Sequence, residues 1–147
     1  MNVTIIPTDK TVVVDSIGYG DIDMSSVPSN IHALQWEDTE GTIEYNNLNN
    51  EEIFELPSWA LGCIEQHQTF KTAEETAKAE MLAYLNSPEG KLEALRLKRN
   101  SLLAETDYLA LSDNTLSTEI IEYRQALRDI TKTYSSLDDA VFPTKPE

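Results

Sequence analysis

LRLKRNSLLAETDYLALSD (Leu95–Asp113), EYRQALRDI (Glu122–Ile130) and VFPTKP (Val141–Pro146) decide how this chain is built toward its C-terminus. Leu92, Leu95, Leu102 and Leu103 recur at helical spacing from Lys91 to about Thr106. Ile120, Ile121, Tyr123 and Leu127 do the same in a last helix capped by Ser117 or Thr115. Two short helices folded back on each other are therefore expected. Arg99 falls where an apolar residue would continue the leucine series, and Arg124 sits on the side bracketed by Ile120 and Leu127. A guanidinium on a packing face is costly unless carboxylates or carbonyls take its donors. Asp107, Asp113 and Asp129 lie at the helix ends as candidate partners. Arg99, Asp107, Asp113, Arg124, Arg128 and Asp129 thus form a candidate structural clasp, because bidentate Arg–Asp pairs fix geometry in a piece with little core. A docking surface is the second reading of the same charges.

Upstream of this region the chain reads first as strands, then as helices. Val3–Ile6 and Thr11–Val14 are β-branched runs around a turn-like Pro7–Lys10, and predict a hairpin. Gly18–Asp21 and Ser25–Asn30 read as loops. Ile31–Trp36 alternates, with Ile31, Ala33 and Gln35 on one face and His32, Leu34 and Trp36 on the other. Thr42–Tyr45 returns after a turn, so Leu34, Trp36, Ile43 and Tyr45 are the expected buried face. Pro57 near a first turn opens a helix, and Thr72-Ala73-Glu74-Glu75 reads as the start of a second one running to about Asn86. Ala73, Ala77, Met81 and Leu85, with Tyr84 alongside, give that helix a narrow apolar stripe. Ser87–Gly90 breaks or kinks it, although Ser-Pro-Glu can equally open the next helix, and the tail after Tyr134 reads as irregular. The fold class is α+β: a small antiparallel sheet domain over 1–55, connecting helices over 56–88, and over 89–147 an antiparallel helical hairpin with an extended Pro-rich tail.

At 147 residues the chain can hold one compact domain, or a small domain with an appended helical piece. Its net charge of −15 is uneven. Residues 1–70 carry one basic residue against twelve acidic ones, a net of −11, and residues 71–147 carry ten against fourteen, a net of −4. An acidic first half disfavours nucleic acid and anionic membrane as partners, since phosphates need cationic counter-groups. The single cysteine, Cys63, rules out an internal disulfide and points to a reducing compartment. MNVTIIPTDK lacks the pattern of a secretory signal, and no apolar run approaches the roughly 20 residues that span a bilayer.

A search for chemistry returns little. His32 and His67 have no second ligand at metal spacing, so each is expected to be structural or exposed. Cys63, without a basic neighbour in sequence, reads as a buried thiol. The acidic pairs Asp21/Asp23, Glu51-Glu52 and Glu74-Glu75 lack the pattern of a calcium loop and read as solvated charge. Gly18-Tyr19-Gly20 lacks the rest of a phosphate cradle. No catalytic, metal or cofactor-binding residues are expected, and no cofactor.

The order of C-terminal elements resembles the tail assembly chaperones and tail-fibre assembly proteins of tailed bacteriophages. The resemblance rests on Arg96 and Arg99, Leu102-Leu103, Thr106-Asp107-Tyr108, Asp113, Tyr123-Arg124-Gln125-Ala126-Leu127-Arg128-Asp129 and Phe142-Pro143-Thr144-Lys145-Pro146, over roughly residues 91–147. Tyr108 and Phe142 stand where that family usually has Trp, and the segment from Asp113 to Tyr123 is short. The resemblance implies a non-enzymatic assembly factor in the host cytoplasm that binds a phage tail or tail-fibre protein. Tyr108, Tyr123, Phe142, Pro143 and Pro146 are the candidate partner-binding residues, although such a tail more often packs on its own domain. Homo-oligomerisation is left open. The rival reading is a structural virion protein that stays in the tail as an adaptor subunit; a small enzyme and an acidic DNA mimic stand further back.

Overall fold

A computed structural model describes residues 1–110 and 115–146. The chain divides into two units, Met1–Ala77 and Lys78–Glu147. The first is built on a six-stranded antiparallel sheet: β1 (Asn2–Ile6), β2 (Thr11–Val14), β3 (Ile17–Tyr19), β4 (Ile31–Glu37), β5 (Glu40–Tyr45) and β6 (Glu51–Ile53). Their order across the sheet is β3-β2-β1-β4-β5-β6. Registers Val3↔Val14, Val3↔Trp36 and Leu34↔Ile43 put the apolar residues of neighbouring strands on one face. Helix α1 (Ser58–Asn86) starts against that face, burying Ala60 and Cys63 among Val3, Ile5, Val12, Ile22, Leu34 and Trp36. Pro57 supplies the carbonyl that accepts the first helical hydrogen bonds, from the amides of Ala60 (2.9 Å) and Leu61 (3.2 Å).

Four features depart from the expected pattern. β3 forms where a loop was expected, because Asp15 (φ 46°) and Ser16 (φ 71°) take left-handed geometry and turn the chain in two residues. β6 forms from the acidic Glu51–Ile53, and Glu51 and Glu52 leave a short, charged sheet edge. A register shift between Ile31 and Ala33 adds one residue to β4 and moves Ile31 opposite Tyr45, onto the face of Leu34 and Trp36. The strict alternation that placed Ile31 with Gln35 is thereby corrected. Finally, α1 is one helix of 29 residues. Thr72 does not open a second helix: its hydroxyl donates to the Gln68 carbonyl four residues back (2.9 Å), a bond made inside a continuing helix. The stripe Ala73, Ala77, Met81 and Leu85 is exposed.

The second unit holds the end of α1, α2 (Pro88–Ala104), a 3-10 turn (Asp107–Ala110), α3 (Thr118–Thr133) and the tail. Ser87 caps α2 by accepting from the Gly90 amide (3.1 Å), and Ser117, not Thr115, caps α3 by accepting from the Ile120 amide (3.3 Å). Leu95, Ile120, Tyr123, Leu127 and Ile130 are buried in this unit. Arg124 of α3 reaches the end of α2 at Leu103, while Lys91 at its start meets Asp138 beyond α3 (2.8 Å), so the two helices run antiparallel. The fold is α+β, a sheet followed by helices, with a boundary at residue 77 inside α1. The expected limits at 55 and 88 set that helix apart from a sheet whose core includes its first turns.

Candidate functional site

The densest polar constellation in the family-like region lies where α2 ends. The Arg124 guanidinium, 9% exposed, donates to the Leu103 carbonyl (3.0 Å), the Thr106 hydroxyl (2.6 Å) and Asp107 Oδ1 (2.8 Å). Thr106 is fully buried, and its own hydroxyl donates to the Leu103 carbonyl (3.0 Å). A cation here donates to a C-terminal carbonyl of α2, that of Leu103, and faces the negative end of the helix dipole. Asp107 is 64% exposed in its side chain, so the ion pair itself is open to water.

Of the six residues proposed as a clasp, the structure brings together Arg124 and Asp107. Arg99 bonds instead to its neighbour Asn100 through Nε (3.0 Å) and a terminal nitrogen (2.9 Å), because its position in α2 points it along the helix surface. Asp129 pairs with Lys132 (2.7 Å) and accepts from Gln125 (2.9 Å), and these bonds, Lys132 first, hold its carboxyl below the usual range. Arg128 donates to Gln125 (3.4 Å) on that exposed face. Asp113 lies outside the described residues. Thr106, whose small hydroxyl completes the arginine's coordination, is not among those six, because nothing in sequence spacing marks a threonine as buried.

The candidate contact residues separate by exposure. Tyr108 is 61% exposed. Tyr123 is 4% exposed, and burial, then the nearby Glu105 charge, raises its phenol's pKa. Phe142, Pro143 and Pro146 are half-buried. The tail is fastened at two places within its unit, by Asp138 to Lys91 (2.8 Å) and by Lys145 to Glu105 (3.7 Å). The Lys91 ammonium lowers the Asp138 pKa.

In the first unit, His67 is buried and its Nε2 meets the Ile17 carbonyl (2.8 Å), while Tyr19 packs edge-on against its ring (4.9 Å). Tyr19 also stacks on Phe70 (6.1 Å) and donates to Glu74 (2.6 Å). This group pins the short β3 to α1. Burial pushes the Cys63 thiol pKa up, and the sulfur lies 3.8 Å from Met24 Sδ. A shallow cleft of about 470 Å³ on the other sheet face is lined by Thr4, Gln35, Thr42, Glu52 and Phe54 among others. Among the described residues, no three His, Cys, Asp or Glu side chains could hold a metal ion, and no helix is long and apolar enough to cross a membrane.

Neither a curated protein nor a solved structure matches the chain. The family model that does match is that of the phage tail assembly chaperone protein, over residues 92–147, the family that the C-terminal motifs resemble.

Proposed function

We propose that this protein is a phage tail assembly chaperone that binds a tail or tail-fibre protein in the host cytoplasm during virion assembly, without catalysing a reaction. The observation that carries this reading is the family match over residues 92–147, which falls inside the unit Lys78–Glu147. Apolar surfaces and strand edges of an immature, aggregation-prone tail protein would be covered until they find their place. The Arg124–Thr106–Asp107 group holds the helix pair and sets the position of the exposed Tyr108, while the fastened Phe142–Pro146 segment borders the same unit. A net charge of −15 keeps the complex soluble, steers basic partners toward it, and disfavours nucleic acid and anionic membrane.

The test is co-expression with the tail or tail-fibre protein of the same phage. The full chain is expected to keep that protein soluble and to co-purify with it. A chain ending at Pro88 should do neither, and Tyr108→Ala in the full chain should weaken capture. Mass spectrometry of purified particles separates the rival: a stoichiometric amount in mature tails would mean a structural subunit. If the full chain captured no tail protein, the reading would be abandoned.

A further inference from the structure

We propose that this protein pairs with a second copy of itself through the outer face of α2, the two helices antiparallel about an axis near Leu92 and Glu93. Helix α2 has two faces. Leu95 is buried on its inner one. Glu89, Leu92, Glu93, Arg96, Leu97 and Asn100, spaced three and four apart, share the outer one. Leu97 is 64% exposed there. Tyr84 donates to Glu93 and brings the end of α1 to this face, where a cleft of about 420 Å³ lies open between Tyr84, Leu92, Arg96 and Leu97. Met81, Leu82 and Leu85 add exposed apolar surface in the last turns of α1.

Charge complementarity selects a second copy as the occupant. Glu89 and Arg96 take part in no ion pair or hydrogen bond among the described residues, yet lie two helical turns apart on one face, about 10 Å along the axis. An antiparallel copy sets Arg96 against Glu89 twice at once, with both Leu92 side chains at the axis, which is the self-complementarity a two-fold interface requires. A parallel copy would set Arg96 against Arg96. Like-charge repulsion also favours this unit. Residues 1–77 carry two basic against fourteen acidic residues, a net of −12, whereas residues 78–147 carry nine against twelve, a net of −3. Within Pro88–Ala104 four basic residues exceed two acidic ones.

The experiment is sedimentation velocity on the full chain over a concentration series, with circular dichroism to check each variant's fold. The wild type is expected to dimerise reversibly. Leu97→Glu and Arg96→Glu should each weaken the dimer by about tenfold or more. Combining Glu89→Arg with Arg96→Glu should restore it, because the exchange re-forms both pairs. A wild type that stays monomeric at every concentration overturns the proposal, as does a dimer that no variant weakens. Failure of the charge exchange to rescue Arg96→Glu would overturn the antiparallel register. If the wild type is monomeric but Leu97→Glu loses capture of a tail protein, the face belongs to that client and not to a second copy. A monomer that still captures tail protein leaves the chaperone reading standing.

Discussion

The Arg124 guanidinium donates a 2.6 Å hydrogen bond to the hydroxyl of Thr106, a side chain wholly inside the helix pair. With the Leu103 carbonyl as a second acceptor, this bond joins α3 to the last turn of α2. Arg124→Ala should therefore destabilise the protein by about 1–3 kcal/mol, since it removes charge-assisted hydrogen bonds from a buried site, while the Leu103 carbonyl keeps its bonds from the Thr106 amide and hydroxyl. Asp107→Ala should cost less than about 1 kcal/mol, because that carboxylate is largely exposed. Arg124→Lys keeps the charge but not the fork, and should recover only part of the loss. Urea denaturation checks all three. Equal costs for Arg124→Ala and Asp107→Ala would mean that the ion pair, not the neutral acceptors, holds the helices.

Trp36 lies opposite Gly41 in the β4–β5 pair, and a Cβ at Gly41 would stand 2.8 Å from the Trp36 ring and 2.5 Å from the Gln35 carbonyl. Gly41→Ala should overpack this site at a cost of about 1–3 kcal/mol. Trp36→Ala should cost roughly 3–5 kcal/mol through the cavity it leaves. Trp36→Phe should cost much less, because the buried Nε1–H has no partner among the described residues to lose. Thermal melts that rank Trp36→Phe beside Trp36→Ala would contradict this account.

Tyr19 donates to Glu74, and that bond, with desolvation and the Glu74 and Glu75 charges, pushes its phenol up to about 12 from 10.0. A pKa raised on folding contributes stability that is complete below the unfolded value and lost as pH rises through the folded one. The contribution of this contact should hold below pH 10 and fade toward pH 12. Ultraviolet titration of the phenolates should find Tyr19 ionising late. Glu74→Gln should bring it earlier, and an unchanged curve would show that the carboxylate is not the cause.

Gly90 sits in the first turn of α2 against the end of α1, and a Cβ there would run into the Tyr84 carbonyl. That atom is backbone and cannot rotate away. Gly90→Ala should destabilise the unit by about 1–3 kcal/mol, although alanine is the better helix former. A chemical-denaturation midpoint equal to or above wild type would show that the turn relaxes freely.

Much of the fold was legible where one physical signal dominates. β-branched runs gave β1 and β2, alternation gave β4 and β5, spaced leucines gave α2, and apolar residues at helical spacing after a Ser cap gave α3. Three-residue strands were not legible. Ile17–Tyr19 is interrupted by a glycine and Glu51–Ile53 holds two carboxylates, so neither three-residue run is long enough to signal a strand and each depends on a neighbour already in the sheet. The register shift at Ile31 is equally silent in sequence, because one added residue changes no composition. At the candidate site Arg124 and Asp107 stood among the expected residues, whereas Thr106 and the Leu103 carbonyl, the other acceptors of the same guanidinium, carried no signal in sequence.

Sequence by itself determined the order of elements, the uneven acidic charge and the C-terminal motif series, because propensity, periodicity and ionisation are properties of residues and their near neighbours. Tertiary structure alone decided that Arg124 meets Thr106 and Asp107 while Arg99 turns to Asn100. It also decided that Tyr123 is interior while Tyr108 faces water. Those outcomes depend on which turn of α3 lies beside which end of α2. Leu95, Ile120 and Leu127, residues far apart in the chain, are buried in the same unit, and no local pattern encodes how such side chains pack.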